Sequence, residues 1–264
     1  MTTPADRTPV AHSQTDVVVH GVKRMIIAGE LGAGARLPIE KDLAAALGVS
    51  RGSLREGVRA LCIMGVLETR QGDGTYVTSL ESSLLLAPMG FLVDLQTPAG
   101  SVHLQSVRRV LESEAAARAA LLIDPATVAE ADAILKSVEP LLAGSVANHD
   151  AIMEADIAFH RVIARASGNP ALEALIEALA SRTVRGRMWR AITEDGAEQT
   201  THAEHRAVLT AVANHDPDTA RLRMGVHLLA VEDFLHTQTA VGTDAPARTD
   251  AADEADAAAA AATQ

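Results

Sequence analysis

From residue 82 onward the chain offers helical spacing and no convincing alternative to it. Apolar residues recur every three to four positions across roughly 82–96, 101–123, 125–143, 148–167, 170–192, 197–214 and 217–240, and no stretch there alternates like a half-buried strand. Pro98, Pro125, Pro170 and Pro217 stand near the starts of four of these segments, where a helix tolerates the missing N–H and uses the preset φ. Amphipathic helices of this length bury their stripes against one another, so the spacing predicts an antiparallel, all-α bundle. Aromatic residues are only 2% of the chain, so its core must be aliphatic.

The first eighty residues read differently. "VVVHGVKRMIIAG" (17–29) carries apolar residues at helical spacing and stops at Gly29; "IEKDLAAALG" (39–48) is a second helix ending at Gly48. "SRGSLREGVRALCIMG" (50–65) is a third, with Leu54, Val58 and Leu61 inward, and "VLETRQGDGTYVT" (66–78) reads as strand, Gly-Asp-Gly turn, strand. Two short helices joined at "ALGVSR" and followed by a hairpin describe a winged helix-turn-helix, whose second helix lays its N-terminal residues over base edges in the major groove. Here those residues are Ser50, Arg51, Gly52, Ser53 and Arg55. Arginine is the usual bidentate reader of guanine. The net charge of −11 argues against nucleic acid until it is located: residues 1–78 hold nine Lys/Arg against eight Asp/Glu, and the remainder fourteen against twenty-six.

"DIAFHRVIARASGN" (156–169) sets Asp156 and His160 one turn apart in the same stripe as Ile152, Phe159 and Ile163. Burying a carboxylate beside an imidazole is costly without partners. Two more histidines lie on apolar faces: His205, three and four residues before Val208 and Leu209, and His227, aligned with Ala230, Val231 and Phe234. One inward histidine is usually a hydrogen-bonded core residue. Four ligand-type side chains on the inward faces of three helices are how bundles build metal sites, and three imidazoles with one carboxylate suit Zn²⁺, Ni²⁺ or Mn²⁺.

The stretch "GELGAGARLPIEKDLAAALGVSRGSLREGVRALCIMGVLETRQGDGTYV" (29–77) resembles the DNA-binding domain of the GntR family of bacterial transcription regulators. The resemblance implies that Lys41, Ser50, Arg51, Gly52, Ser53 and Arg55 face DNA and that Gln71 and Gly72 at the wing tip reach the minor groove. Gly52 stands where a bulkier residue is common. Gly57 sits mid-helix where alanine is usual, at an expected cost of about 1 kcal/mol. Residues from about 82 to 240 resemble the FCD ligand-binding domain of the FadR subfamily, on "SVRRVLESEAAARAA", "DIAFHRVIARASGNPAL", "EHRAVLTAV" and "MGVHLLAVEDFL". That resemblance implies that Asp156, His160, His205 and His227 are metal ligands. An open coordination position would then accept a small organic or sugar acid, with Arg108 as a charge-assisted anchor and Asn169 reaching a ligand hydroxyl.

The domain organisation expected is therefore a disordered tail over 1–14, a winged helix-turn-helix over 15–79, an all-helical effector domain over 80–240 and a disordered Ala/Asp-rich tail over 241–264. The implied function is a homodimeric, ligand-responsive regulator of operator DNA, by family habit a repressor, and not an enzyme. Two other readings compete with it: a metal-free regulator responding to acyl-CoA, and an all-α metalloenzyme. The second lacks an H-E-x-x-H motif and leaves a complete winged helix without a use. A single cysteine, Cys62, and no signal-peptide pattern point to a cytoplasmic protein. The longest greasy stretch, "LLLAPMGFLV", is too short to span a bilayer.

Overall fold

The computed structural model describes residues 13–95, 98–144 and 148–243. Three helices and a hairpin come first: α1 (Gln14–Ile27), α2 (Glu40–Leu47), α3 (Arg51–Ile63), β1 (Leu67–Arg70) and β2 (Gly74–Val77). Seven helices follow among the described residues: α4 (Ser82–Asp94), α5 (Pro98–Leu122), α6 (Pro125–Ala143), α7 (His149–Ala166), α8 (Pro170–Thr193), α9 (Ala197–Ala213) and α10 (Pro217–Thr243). The four punctuating prolines all stand at first helical positions.

Local chemistry sets the ends of the N-terminal elements. Ser13 and Asp16 form a reciprocal capping box on α1, so the helix begins inside the stretch expected to be a tail. The rest of that expected tail, residues 1–12, lies outside the described residues, as does 244–264 at the other end. Gly48 ends α2 in the left-handed region, and the Ser50 hydroxyl caps α3 by accepting from the Ser53 N–H. The hairpin pairs Leu67 with Val77 and Arg70 with Gly74. The wing is broader than the sequence predicts, because Leu37 N–H donates to the Thr75 carbonyl and Val77 N–H to the Ala35 carbonyl. Val18, Val22, Leu37, Leu43, Leu54, Leu61, Leu67 and Val77 close a core beneath them.

Gly57 corrects an expectation. A Cβ there would stand 2.5 Å from the Val18 Cβ, so α1 and α3 cross where no side chain fits. The residue is a condition of the crossing rather than a defect of the helix.

In the helical part α5 is central and packs on α7, α8, α9 and α10. Ala115, Ala116, Ala117, Ala119 and Ala120 are almost wholly buried on it, and such short side chains let neighbouring helices approach closely. Phe159, Val162 and Ile163 of α7, Val208, Leu209 and Val212 of α9, and Met224 and Leu228 of α10 complete the aliphatic core. Further along the same inward stripes this core gives way to polar groups.

Candidate functional site

The recognition face is exposed. Arg51, Gly52 and Ser53 occupy the first turn of α3, and nothing stands in front of Gly52 except the Ser50 hydroxyl. The Ser50 and Ser53 hydroxyls are 2.9 Å apart. Arg55 is held by Glu40 of α2 through contacts of 2.8–3.0 Å, which fixes the guanidinium at the mouth of the groove between α2, α3 and the wing. Lys41 is exposed on α2; Gln71 and Gly72 are exposed at the wing tip, Gly72 with φ 74°.

Deeper in the chain, Asp156, His160, His205 and His227 bring one ligand atom each within 4.8 Å of all the others, and all four residues are buried. The His227 Nε2 lies 3.2 Å from that of His205 and 3.3 Å from that of His160. Asp156 Oδ1 is 3.7 Å from His160 Nε2 and 3.6 Å from His205 Nε2. Two rings are oriented from behind: His160 Nδ1 meets the Glu112 carboxylate, and His227 Nδ1 meets Glu204 at 2.8 Å. A carboxylate accepts, so each Nδ1 carries the proton and each Nε2 presents a lone pair. Lone pairs facing one another at 3.3 Å repel unless something positive lies between them.

Electrostatics point the same way. Burial pushes the His160 imidazole below its ordinary value. His205 is pushed well below by burial and then by His227 and His160. Burial takes His227 to about 4 against the pull of Glu204. These are neutral imidazoles, the form that binds a cation. Burial alone would raise Glu112, but Arg108 and His160 hold it below the usual carboxylate range.

A cleft of about 430 Å³, open solvent included, leads to this centre. Asp156 and His227 form its inner end, Arg187 and Arg190 line it from α8, and Ile152, Met153, Ala191, Ala197 and Val231 supply apolar wall. Arg187 is only 4% exposed. Its Nη1 abuts Asp156 Oδ2, yet none of its three guanidinium nitrogens makes a formed hydrogen bond. Burial, then the charge of Arg108, push Arg187 well below its ordinary value. A guanidinium does not surrender its proton, so this is a buried cation set against Asp156 with hydrogen-bonding capacity to spare.

Two descriptions of known families match the chain. "Bacterial regulatory proteins, gntR family" covers residues 14–77, and "FCD domain" covers residues 103–230. The chain joins a GntR-family helix-turn-helix domain to an FCD domain. It is 29% identical over 234 residues to the HTH-type transcriptional repressor NanR of Escherichia coli, covering 86% of this chain and 87% of that one. The NanR of Citrobacter rodentium is equally similar, with 88% of its length covered. Among solved structures, the Streptococcus agalactiae GntR superposes with a TM-score of 0.57 at 26% identity, over 83% of this chain and 99% of that one. The protein is a DNA-binding transcriptional regulator with a C-terminal effector-binding domain; its relatives are regulators, not enzymes. Among the described residues no helix is long and apolar enough to cross a membrane.

Within the FCD domain the structure gathers the four candidate ligands and places the two expected anchors outside the cleft lining. Arg108 is 1% exposed and donates through Nε to Glu112, behind His160, and does not line the cleft. Its charge helps hold Glu112 ionised. Asn169 is the N-cap of α8: its side-chain oxygen accepts from the Ala171 and Leu172 N–H groups, and it too is absent from the cleft lining. Arg109, next to Arg108 on α5, pairs with Glu232. The guanidiniums that face the cleft are Arg187 and Arg190, which the sequence reading passed over. A signal existed. The buried stripe of α8 through Leu172, Ile176 and Leu179 continues at helical spacing into Arg187 and Arg190, so the apolar pattern ends in two inward cations.

Proposed function

We propose that this chain is a FadR-type repressor. In this reading a divalent transition-metal ion is held by Asp156, His160, His205 and His227, and a small carboxylate effector controls its operator binding. The observation that carries the reading is the convergence of three Nε2 atoms, those of His160 and His227 with lone pairs facing inward, and one carboxylate. Two nitrogens bound about 2.0–2.1 Å from one ion at about 100° lie about 3.2 Å apart, and the distances here are 3.2 and 3.3 Å. Glu112 and Glu204 act as the carboxylates that orient metal-bound histidines. Such an ion, when bound, supplies a Lewis-acidic position for a ligand oxygen; the donor set suits Zn²⁺, Ni²⁺ or Mn²⁺.

The protein's own groups do the rest. Arg187, buried without a formed hydrogen bond, takes the effector's carboxylate, and Arg190 reinforces it while paired to Glu194 at 2.9 Å. Repression is the reading favoured by the NanR relatives, which are named repressors. A homodimer sets two α3 helices on a pseudo-palindromic operator. Arg51 and Arg55 read bases there, Lys41, Ser50 and Ser53 hold phosphates, and Gln71 and Gly72 enter the minor groove.

Effector binding has a physical route to the DNA domain. α8 carries both cleft arginines and packs on α4. Gly65, just past α3, approaches the Leu84 carbonyl of α4 so closely that a Cβ would lie 2.2 Å from it. A coupling of about 1–3 kcal/mol along this route changes operator occupancy 5- to 150-fold. The metal-free, acyl-CoA reading leaves the facing lone pairs unexplained.

The test combines elemental analysis with operator binding. Purified protein incubated with Zn²⁺ should retain one ion per chain and lose it on His205→Ala. Arg187→Ala should keep the ion and the operator but respond poorly to effector. Protein that holds no metal after exposure to Zn²⁺, Ni²⁺ and Mn²⁺ would overturn the reading.

A further inference from the structure

We infer that the effector is a short-chain aliphatic monocarboxylate, not a dicarboxylate and not a polyhydroxylated sugar acid; this rests on the proposed seating of a carboxylate between the ion and Arg187.

Charge comes first. One carboxylate on the effector is met by the ion and by Arg187, whose guanidinium already lies against Asp156. A second finds no free cation in the cleft lining among the described residues: Arg190 is paired with Glu194, and Glu198 is itself an anion. An uncompensated anion against an apolar wall is costly.

The lining agrees. Beyond the arginines, the cleft wall is Ile152, Met153, Ala191, Ala197 and Val231. The polar side chains left to greet the rest of an effector are, among the described residues, Thr201 and Glu198. Glu198 is already within 2.7 Å of His149 Nδ1, and its own negative charge repels a second carboxylate. One hydroxyl and one engaged carboxylate cannot satisfy the several hydroxyls of a sugar acid, and each buried hydroxyl left without a partner weakens binding. An alkyl chain meets no such penalty and gains from every methylene covered.

A homologous series decides the matter. Full-length protein loaded with Zn²⁺ is titrated calorimetrically with acetate, propanoate, butanoate and pentanoate, then with glutarate and gluconate. Affinity should rise about fourfold per added methylene until the cleft is full, and glutarate and gluconate should bind more weakly than butanoate. Ile152→Ser, at a half-buried position, should flatten the series while circular dichroism and zinc content stay unchanged. If that variant does not fold, the wild-type series alone decides. A flat wild-type series, or gluconate or glutarate binding as tightly as butanoate, overturns the inference and leaves the carboxylate site standing. No binding by any of the six acids to verified zinc-loaded protein overturns the effector reading and the inference together.

Discussion

Glu112→Gln is the substitution that separates the support of the centre from the centre itself. Glu112 is 2% exposed; one of its oxygens meets Arg108 Nε and the other meets His160 Nδ1. Glutamine keeps the shape and loses the charge. If its NH₂ faces Arg108, two donors confront each other beside a buried cation. If it faces His160, the ring must accept at Nδ1 and carry its proton on Nε2, which destroys the lone pair aimed at His227. Breaking a buried ion pair by removing one charge costs about 3–5 kcal/mol. Losing the carboxylate behind a metal-bound histidine costs about 10- to 100-fold in metal affinity. Urea unfolding of chelated protein should show the first effect, and zinc competition against a chromophoric chelator the second. Arg108→Met is the control: it takes the guanidinium from Glu112 and lowers stability, but His160 still faces Glu112, so zinc affinity should change little. Equal zinc affinity in wild type and Glu112→Gln would refute the claim that Glu112 orients His160. Equal loss in both variants would show that stability alone governs the metal.

Three further outcomes are expected. Arg51→Ala should cost about 1–3 kcal/mol of operator binding and relax discrimination at one base pair, whereas Lys41→Ala should weaken all sequences alike and reduce the salt slope by about one; footprinting across a salt series checks both, and an unchanged footprint for Arg51→Ala counts against the α3 assignment. Gly57→Ala should destabilise the DNA-binding domain by about 1–3 kcal/mol through overpacking against Val18, despite alanine's better helix propensity; a rise in the urea midpoint would contradict the close crossing. In chelated protein, His227 has a folded-state value near 4 against an ordinary 6.5. The unfolded chain therefore binds more protons between those values, so His227's contribution is intact above pH 6.5 and lost as the pH falls toward 4. Thermal melts at several pH values with and without His227→Ala should show that dependence shrink in the variant.

Much of this architecture was legible before any coordinates, for identifiable reasons. Helical spacing repeats within each segment, and prolines at 98, 125, 170 and 217 can begin a helix but not continue one from within without cost, so segment type and order followed from local chemistry. The winged helix was legible because a turn, a capped helix and a Gly-bearing hairpin are each short-range patterns. Asp156 and His160 stood out because polar residues at i and i+4 interrupt one apolar stripe. His205 and His227 did so for the same reason on their own helices.

What the tertiary structure decided were the relations between segments distant in sequence. No spacing rule says that α8 returns past α7 to set Arg187 against Asp156, or that Arg108 turns toward Glu112 instead of the cleft. Both arginines are long, charged side chains on helices, and a helix's own pattern cannot say which neighbour meets its charge. The meaning of Gly57 was likewise settled only by the Val18 side chain that crosses it. Periodicity reports which face of a helix turns inward. Which groups meet there, and whether their charges cancel, depends on how the helices pack, and in this protein that packing leaves Arg187 buried beside the histidines without a formed hydrogen bond.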